Sequence, residues 1–153
     1  MKAVIMAGGK GTRLRPLTSQ TPKPMVPLLN RPCMEYTIDL LKKHGITEIA
    51  VTLQYLPDVI RDTFGDGSRY GVSLVYFEET TPLGTAGSVK NCADFLDERF
   101  IVISGDTLTD MDLSAAIRFH EQKEALATLI LTRVETPLEF GVVMTDEQGR
   151  INR

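Results

Sequence analysis

Short apolar runs alternate along the chain with segments in which apolar residues recur at helical spacing. A short apolar run bounded by glycine or polar residues predicts a buried strand. Strands are therefore predicted at 3–7, 48–53, 72–77, 100–104 and 126–134. Helices are predicted at 32–43, 57–64, 85–96 and 113–123. A hairpin is predicted around the turn 146–149, with 141–144 before it and Ile151 after it.

This alternation of strand and helix is typical of βαβ units, which place parallel strands in one sheet. We therefore expect an α/β fold with a mostly parallel sheet flanked by helices, and ligands beyond the carboxyl ends of its strands. Two glycine-containing loops, 8–24 and 105–110, follow predicted strands there. Residues 140–153 begin a hairpin without a closing element. We expect one domain over 1–153 that is incomplete at its C-terminus; the alternative is a ragged natural end.

The composition is that of an ordinary globular protein, with 42% hydrophobic and 24% charged residues. No apolar run approaches the roughly 18 residues of a membrane helix, and the N-terminal apolar stretch is too short for a signal peptide. Cys33 and Cys92 lie far apart without the spacing of metal ligands. Neither a disulfide framework nor a structural zinc site is expected, and a cytoplasmic location is the default.

The net charge of −3 conceals an asymmetry. Residues 1–34 contain no acidic residue and six cations: Lys2, Lys10, Arg13, Arg15, Lys23 and Arg31. A cationic segment on an acidic body indicates a local anion site. A nucleic-acid surface would instead need a basic face across the domain, so no nucleic-acid partner is expected.

The loop after the first strand combines glycines with cations, reading AGGKGTRLRPLT over 7–18 and PKP over 22–24. Glycine lets backbone N–H groups approach an anion closely. Arg13 can fork onto phosphate oxygens, and Lys23, held between two prolines, is a stiffly supported point charge. The glycine spacing fits neither GxxxxGK[ST] nor GxGxxG. A polyphosphate site of another kind is favoured over a tight turn with solvated cations.

The run GGKGTRLRPLT followed by PKP closely resembles the signature of the sugar-phosphate nucleotidyltransferases, and the resemblance covers essentially the whole chain. More narrowly, the chain is similar to the N-terminal part of bacterial mannose-1-phosphate guanylyltransferases. This resemblance implies a Rossmann-like fold, Mg²⁺ as cofactor, and a nucleoside triphosphate and a sugar 1-phosphate as substrates. It implies no membrane partner and is compatible with a homo-oligomer.

A second motif, PLGTAG over 82–87, follows Glu78 and Glu79. The resemblance places the nucleotide base against this segment, with Glu79 where related uridine- or thymidine-specific enzymes carry a base-reading glutamine. A carboxylate can accept both adjacent donors of guanine but repels the carbonyls of uracil. Glu79 therefore favours GTP. The alternative is that both acids are solvated at the end of a strand.

A third motif, SGDTLTD over 104–110, places Asp106 directly after an apolar strand. Mg²⁺ prefers hard oxygen ligands, commonly one or two carboxylates plus substrate phosphates. The resemblance makes Asp106 a metal ligand. The Glu-Lys-Pro motif of the family and its later metal-binding aspartate do not occur in these 153 residues, in keeping with the expected incompleteness.

The resemblance assigns catalysis to Arg13, which would stabilise the departing pyrophosphate, and to Lys23, which would hold the α-phosphate or the attacking phosphate. Nucleotide contacts are assigned to Ala7, Gly8, Gly9, Gly11, Thr12, Glu79, Gly84, Thr85 and Ala86. Gln54 and Tyr55 are expected to pack at the rim or in the core rather than to bind. The expected reaction joins mannose 1-phosphate and GTP to give GDP-mannose. The alternatives are a glucose-1-phosphate uridylyl- or thymidylyltransferase and a non-catalytic nucleotide-binding regulatory domain.

Overall fold

The computed structural model describes residues 1–136 and 141–152, and the chain divides into two compact units, Met1–Ser114 and Ala115–Arg153. The strands are β1 (Lys2–Met6), β2 (Pro27–Leu28), β3 (Arg31–Pro32), β4 (Glu48–Leu53), β5 (Ser73–Glu78) and β6 (Phe100–Ser104). The helices are α1 (Cys33–Lys43), α2 (Pro57–Phe64), α3 (Gly84–Asn91) and α4 (Leu113–Gln122). Among the described helices, none has the length and apolar character needed to cross a membrane.

The first unit is organised around a four-stranded parallel sheet with the order β5-β4-β1-β6. The central register places Ile5 between Val51 and Ile103. From β1 the chain moves outward to β4 and β5, and then returns past β1 to form β6. The direction of winding therefore reverses between β1 and β6, and the crevice beyond their carboxyl ends is the expected ligand site of such a sheet.

The apolar runs that form the two central strands, β1 and β4, do not alternate with polar residues because both faces of these strands are buried. Ala3, Val4 and Ile5 of β1 have no exposed surface, and β4 is buried over all but its first residue. Continuous apolar runs are typical of parallel strands covered on both faces. Full burial of one such isoleucine side chain contributes about 1.5–3 kcal/mol, so these strands give the site a rigid base.

The predicted elements of the first unit are confirmed, three of them with the predicted bounds: β4, α2 and β6. The predicted helix 85–96 is shorter, because α3 ends at Asn91 and a 3-10 turn, Ala93–Phe95, follows. Its sequence, GTAGSVKN, is poor in strong helix formers. In addition, the Ser88 hydroxyl donates to the Gly84 carbonyl oxygen at 2.8 Å, a bond that weakens a helix locally.

The second unit corrects one strand prediction and part of another. Residues 126–134 form no strand, although the run is apolar and β-branched. A strand needs a neighbour to take its backbone hydrogen bonds, and the described part of this unit offers none. The predicted turn is confirmed, since the Gly149 N–H donates to the Asp146 carbonyl oxygen at 3.0 Å. The flanking strands are reduced to one antiparallel bridge between Thr145 and Ile151.

Candidate active site

The glycine loop, residues 8–24, leaves the carboxyl end of β1 and folds back on itself. Gly11 adopts the left-handed region with φ +59° and precedes a 3-10 turn, Thr12–Leu14. A Cβ at Gly11 would lie 3.0 Å from Cγ2 of Thr18 and 3.2 Å from Cβ of Lys23. Glycine is therefore required here both by the backbone conformation and by the space available.

Gly105 brings the loop against the end of β6. Its N–H donates to the carbonyl oxygen of Met6 at 2.9 Å, which extends the pairing of β6 with β1 by one bond. A Cβ at Gly105 would lie 3.0 Å from Cγ2 of Ile5 and 3.3 Å from Cβ of Pro24. Because that Cβ is missing, Pro24 packs against the end of the sheet, and this packing carries the preceding Lys23 to the loop after β6.

Lys23 and Asp106 form an ion pair at this junction. The side chain of Lys23 is 35% exposed and that of Asp106 is 26% exposed, so water screens the pair only in part. The glycine loop and the loop after β6, whose paired residues are 83 positions apart in sequence, thus meet beyond the ends of β1 and β6. Both charges remain accessible to a ligand that enters from the carboxyl end of the sheet.

A cavity of about 410 Å³ opens beside this pair. It is lined by Gly9, Gly11, Thr12, Arg13, Leu14, Lys23 and Asp106. This volume is within the range of small-molecule sites. Leu14 was not predicted as a site residue and is 42% exposed; the available signal in the sequence was an apolar residue between two arginines of the glycine loop.

The six cations of the N-terminal segment divide into three that form ion pairs with described residues and three that do not, and Lys23, paired with Asp106, is in the first group. Lys2 pairs with Asp97, and Arg31 pairs with Glu35 and Asp39, so these two are neutralised at the surface. Lys10, Arg13 and Arg15, all in the glycine loop, form no ion pair with any residue that the structure describes. The unneutralised positive charge therefore concentrates on this loop, as a polyanion site requires.

Glu78 and Glu79, adjacent at the end of β5, have different environments. Glu78 is exposed and its carboxylate accepts a hydrogen bond from Nη2 of Arg61 at 2.8 Å. Glu79 is only 8% exposed, and its Oε2 accepts a bond from the N–H of Leu83 at 3.4 Å. The alternative that both acids are solvated at the strand end is therefore correct for Glu78 but not for Glu79. A Cβ built on Gly8 would lie 3.9 Å from Oε1 of Glu79, so Glu79 reaches the base of the glycine loop.

The remaining assigned residues lie outside the cavity lining. Ala7 is buried, and its N–H already donates to the carbonyl oxygen of Thr52 at 3.0 Å. Gly84, Thr85 and Ala86 form the exposed first turn of α3, where Gly84 has φ +70° with no atom within 4 Å of a built Cβ. The structure thus brings most of the residues assigned to the phosphates together at the cavity, but Gly8 lies outside the lining, and the segment assigned to the base is exposed at the surface.

Both cysteines are buried, as expected for small core residues. Burial raises the pKa of the Cys33 thiol; the Asp106 carboxylate raises it further and Lys23 opposes the rise. Burial also raises the pKa of Cys92 to about 11, with a smaller contribution from Glu79. Both thiols stay protonated at neutral pH, so neither serves as a nucleophile or thiolate ligand.

The described residues contain no group of three or more His, Cys, Asp or Glu side chains that could hold a metal by themselves. Asp106 is nevertheless a suitable single ligand, because it is partly exposed and borders the cavity. Mg²⁺ commonly binds one or two carboxylates and completes its shell with water and substrate phosphates. The residues present therefore fit a Mg²⁺ ion that arrives with a polyphosphate.

Residues 2–153 match the protein family described as Nucleotidyl transferase. The chain belongs to this family. The chain is 42% identical to a UTP–glucose-1-phosphate uridylyltransferase from Synechocystis sp., over 99% of the chain and 42% of that relative. It is 41% identical to a mannose-1-phosphate guanylyltransferase from Mycobacterium tuberculosis, over 97% of the chain and 42% of that relative. The chain thus spans about 42% of the length of these curated relatives.

Two of the solved structures that match this chain illustrate the shared fold. One, from Bacillus anthracis, is described as a candidate glucose-1-phosphate thymidylyltransferase in complex with a sucrose. It has a TM-score of 0.87 and 31% identity, over 96% of this chain and 61% of that chain. The other is HddC from Yersinia pseudotuberculosis complexed with GMP-PN, with a TM-score of 0.78 and 28% identity, over 99% and 67% of the two chains. These likenesses confirm the Rossmann-like fold.

Proposed function

We propose that this protein joins a nucleoside triphosphate to a sugar 1-phosphate, forming a nucleotide sugar and pyrophosphate. The observation that carries the proposal is the meeting of the glycine loop, Arg13, Lys23 and Asp106 around one cavity at the switch point of the sheet. Family membership and the relatives that act on sugar 1-phosphates support the same conclusion.

The reaction requires no protein nucleophile. A phosphate oxygen of the sugar 1-phosphate attacks the α-phosphorus in line and forms a new P–O bond. The bond from the α-phosphorus to the bridging oxygen breaks, and its electron pair leaves with pyrophosphate. Positioning and charge neutralisation supply the rate in phosphoryl-transfer reactions of this kind.

The residues that line the cavity have different roles in this reaction. The backbone N–H groups of Gly9, Gly11 and Thr12 donate to phosphate oxygens. Arg13 stabilises the charge that develops on the departing pyrophosphate. Lys23 holds the α-phosphate or the attacking phosphate, and Asp106 is the residue that would hold Mg²⁺. When bound, the metal ion neutralises phosphate charge.

We further propose that the nucleotide is GTP and the sugar phosphate is mannose 1-phosphate. The support for GTP is the position of Glu79, a buried carboxylate near Gly8 that forms no ion pair with a described residue. The N–H of Leu83 is one donor to this carboxylate, and guanine offers two adjacent N–H donors that a carboxylate can accept together. HddC was solved with GMP-PN, whose name indicates a guanine nucleotide. The uridylyltransferase from Synechocystis sp. makes UTP with glucose 1-phosphate the second candidate pair.

The test is calorimetric titration of the protein with GTP, UTP and dTTP in Mg²⁺, repeated for Glu79→Gln and Asp106→Ala. We expect GTP to bind most tightly and Glu79→Gln to weaken it roughly 10-fold, the cost of one charge-assisted contact. Asp106→Ala should weaken all three nucleotides. Glu78→Gln is the matched control, because Glu78 is exposed and paired with Arg61, and it should leave GTP binding unchanged. Tighter binding of UTP or dTTP would overturn the guanylyl assignment, and no binding by any nucleotide would overturn the proposed function.

A further inference from the structure

Two residues outside the cavity hold the glycine loop in place. Thr18 is fully buried, and its hydroxyl donates to the carbonyl oxygen of Gly11 at 2.7 Å. The hydroxyl of Tyr55 lies 2.8 Å from the carbonyl oxygen of Ser19 and 3.2 Å from that of Thr18, so one phenolic proton is shared between the two carbonyls. Tyr55 follows β4 by two residues. A chain of hydrogen bonds therefore runs from the end of a central strand to Gly11.

The hydroxyl and the methyl group of Thr18 both lie against Gly11. The hydroxyl bonds to the Gly11 carbonyl oxygen, and the Cγ2 methyl group occupies the space beside Gly11 where a Cβ would lie 3.0 Å away. Serine would keep the hydroxyl without the methyl group, and valine would keep the shape without the hydroxyl. The side chain thus fixes one face of Gly11 by packing and its carbonyl by a hydrogen bond.

We propose that Thr18 and Tyr55 are positioning residues that preorganise the glycine loop for a polyphosphate. The inference rests on the proposed function, because it takes the loop as the phosphate site. A loop with three glycines samples many backbone conformations, and ordering one residue costs about 1–2 kcal/mol. A loop that is ordered before binding does not lose that freedom when the ligand arrives. Neither Thr18 nor Tyr55 lines the cavity, so their effect on the ligand passes through Gly11.

The same bonds could serve overall stability alone, and that reading makes a different prediction. Removing a purely stabilising contact lowers the free energy of unfolding but leaves the affinity of the folded protein unchanged. Removing a positioning contact lowers the affinity of a protein that is still fully folded. Affinity measured far below the melting temperature separates the two.

The experiment compares the wild-type chain with Thr18→Val, Thr18→Ser and Tyr55→Phe. Calorimetry with inorganic tripolyphosphate and with GTP–Mg²⁺ measures affinity, and thermal unfolding measures stability. Loss of one hydrogen bond predicts a fall in affinity of about 3- to 10-fold for Thr18→Val and for Tyr55→Phe. Thr18→Ser keeps the bond and should recover most of the affinity. The double variant Thr18→Val/Tyr55→Phe should lose less than the product of the single losses, because the two groups act in one chain of bonds.

Matched controls come from the same unit. The hydroxyl of Tyr76 donates to the carbonyl oxygen of Gly65 at 2.7 Å, and that of Thr63 donates to the carbonyl oxygen of Val59 at 2.7 Å. Tyr76→Phe and Thr63→Val remove the same kinds of bond at residues that do not line the cavity, and both should bind tripolyphosphate as the wild type does. Amide hydrogen exchange adds a readout without ligand, in which exchange at 9–14 should rise in Tyr55→Phe while β1 stays protected.

The outcomes separate the two proposals. If the wild type binds tripolyphosphate and the Thr18 and Tyr55 variants bind it equally well, the positioning role is wrong and the proposed function stands. If those variants lose stability and retain affinity, their role is structural and the positioning role is again wrong. If the wild type binds neither tripolyphosphate nor any nucleotide, the proposed function fails, and the positioning role fails with it.

Discussion

Replacing Gly9 by alanine tests whether the glycine loop contacts phosphate through its backbone. Gly9 lines the cavity, is not in the left-handed region, and has no atom within 4 Å of a built Cβ. The new methyl group therefore meets no protein atom and should change the free energy of unfolding by less than about 0.5 kcal/mol. It would, however, hold a phosphate away from the neighbouring N–H groups. Loss of one charge-assisted hydrogen bond corresponds to about 1.5–3 kcal/mol, or roughly 10-fold or more in affinity.

Gly11→Ala gives the contrasting result, because the residue has φ +59° and its Cβ would lie 3.0 Å from Cγ2 of Thr18. The left-handed conformation alone costs an alanine about 1–2 kcal/mol, so stability and affinity should both fall. Gly45→Ala is the control for backbone strain, since Gly45 has φ +77° after the end of α1, open space around a built Cβ, and no place in the cavity lining. It should lose stability and keep affinity.

The assays are urea denaturation for stability and calorimetry with GTP–Mg²⁺ for affinity, on the wild type and the three glycine variants. The expected signature of the site is a Gly9→Ala protein that is as stable as the wild type and binds at least 10-fold more weakly. If Gly9→Ala binds within threefold of the wild type, the backbone at this position does not cradle phosphate, and the argument from the cavity is refuted.

Three further predictions follow from the same site and its surroundings. Lys23→Met removes the ion pair with Asp106, so Mg²⁺ titrated without nucleotide should bind about 2- to 5-fold more tightly than to Lys10→Met, which removes a loop cation without such a pair; equal affinities would contradict this. Arg13→Ala should reduce turnover of GTP with mannose 1-phosphate roughly 100-fold, as measured by pyrophosphate release, and a rate within threefold of wild type would exclude the assigned role. Burial raises the pKa of the Cys92 thiol from 9.0 to about 11. The protonated thiol therefore stabilises the folded protein fully below pH 9, and this stabilisation is lost between pH 9 and pH 11, at up to about 1.4 kcal/mol per pH unit. Urea denaturation at pH 8, 9.5 and 11 should show this loss in the wild type and a smaller one in Cys92→Ala; parallel curves would contradict it.

Most helices and strands of the first unit could be predicted because their signals are local. The β-branched run that forms β4 and the proline-initiated segment that forms α2 specify their own conformations, and their predicted bounds are correct. The run 126–134 carries a similar signal and forms no strand. A strand also requires a partner, and the presence of a partner is not a property of the run itself.

The candidate site shows the same division. The glycine loop and Arg13 could be predicted as an anion site because small residues and cations at a strand end have a chemical meaning on their own, whereas the role predicted for Asp106 came from the family resemblance. The different environments of Glu78 and Glu79 could not, because Glu78 ends β5 and Glu79 follows it, and the sequence does not say which of the two side chains is covered.

The amino-acid sequence by itself determined the parallel α/β fold, the position of the glycine loop at the end of the first strand, and the cationic character of that loop. Only the tertiary structure decided that Lys23 pairs with Asp106, that Pro24 packs in the space left by Gly105, and that Tyr55 bonds to the loop through Thr18 and Ser19. Each of these contacts joins segments distant in sequence, and such contacts depend on the strand order, which local patterns of polar and apolar residues do not encode.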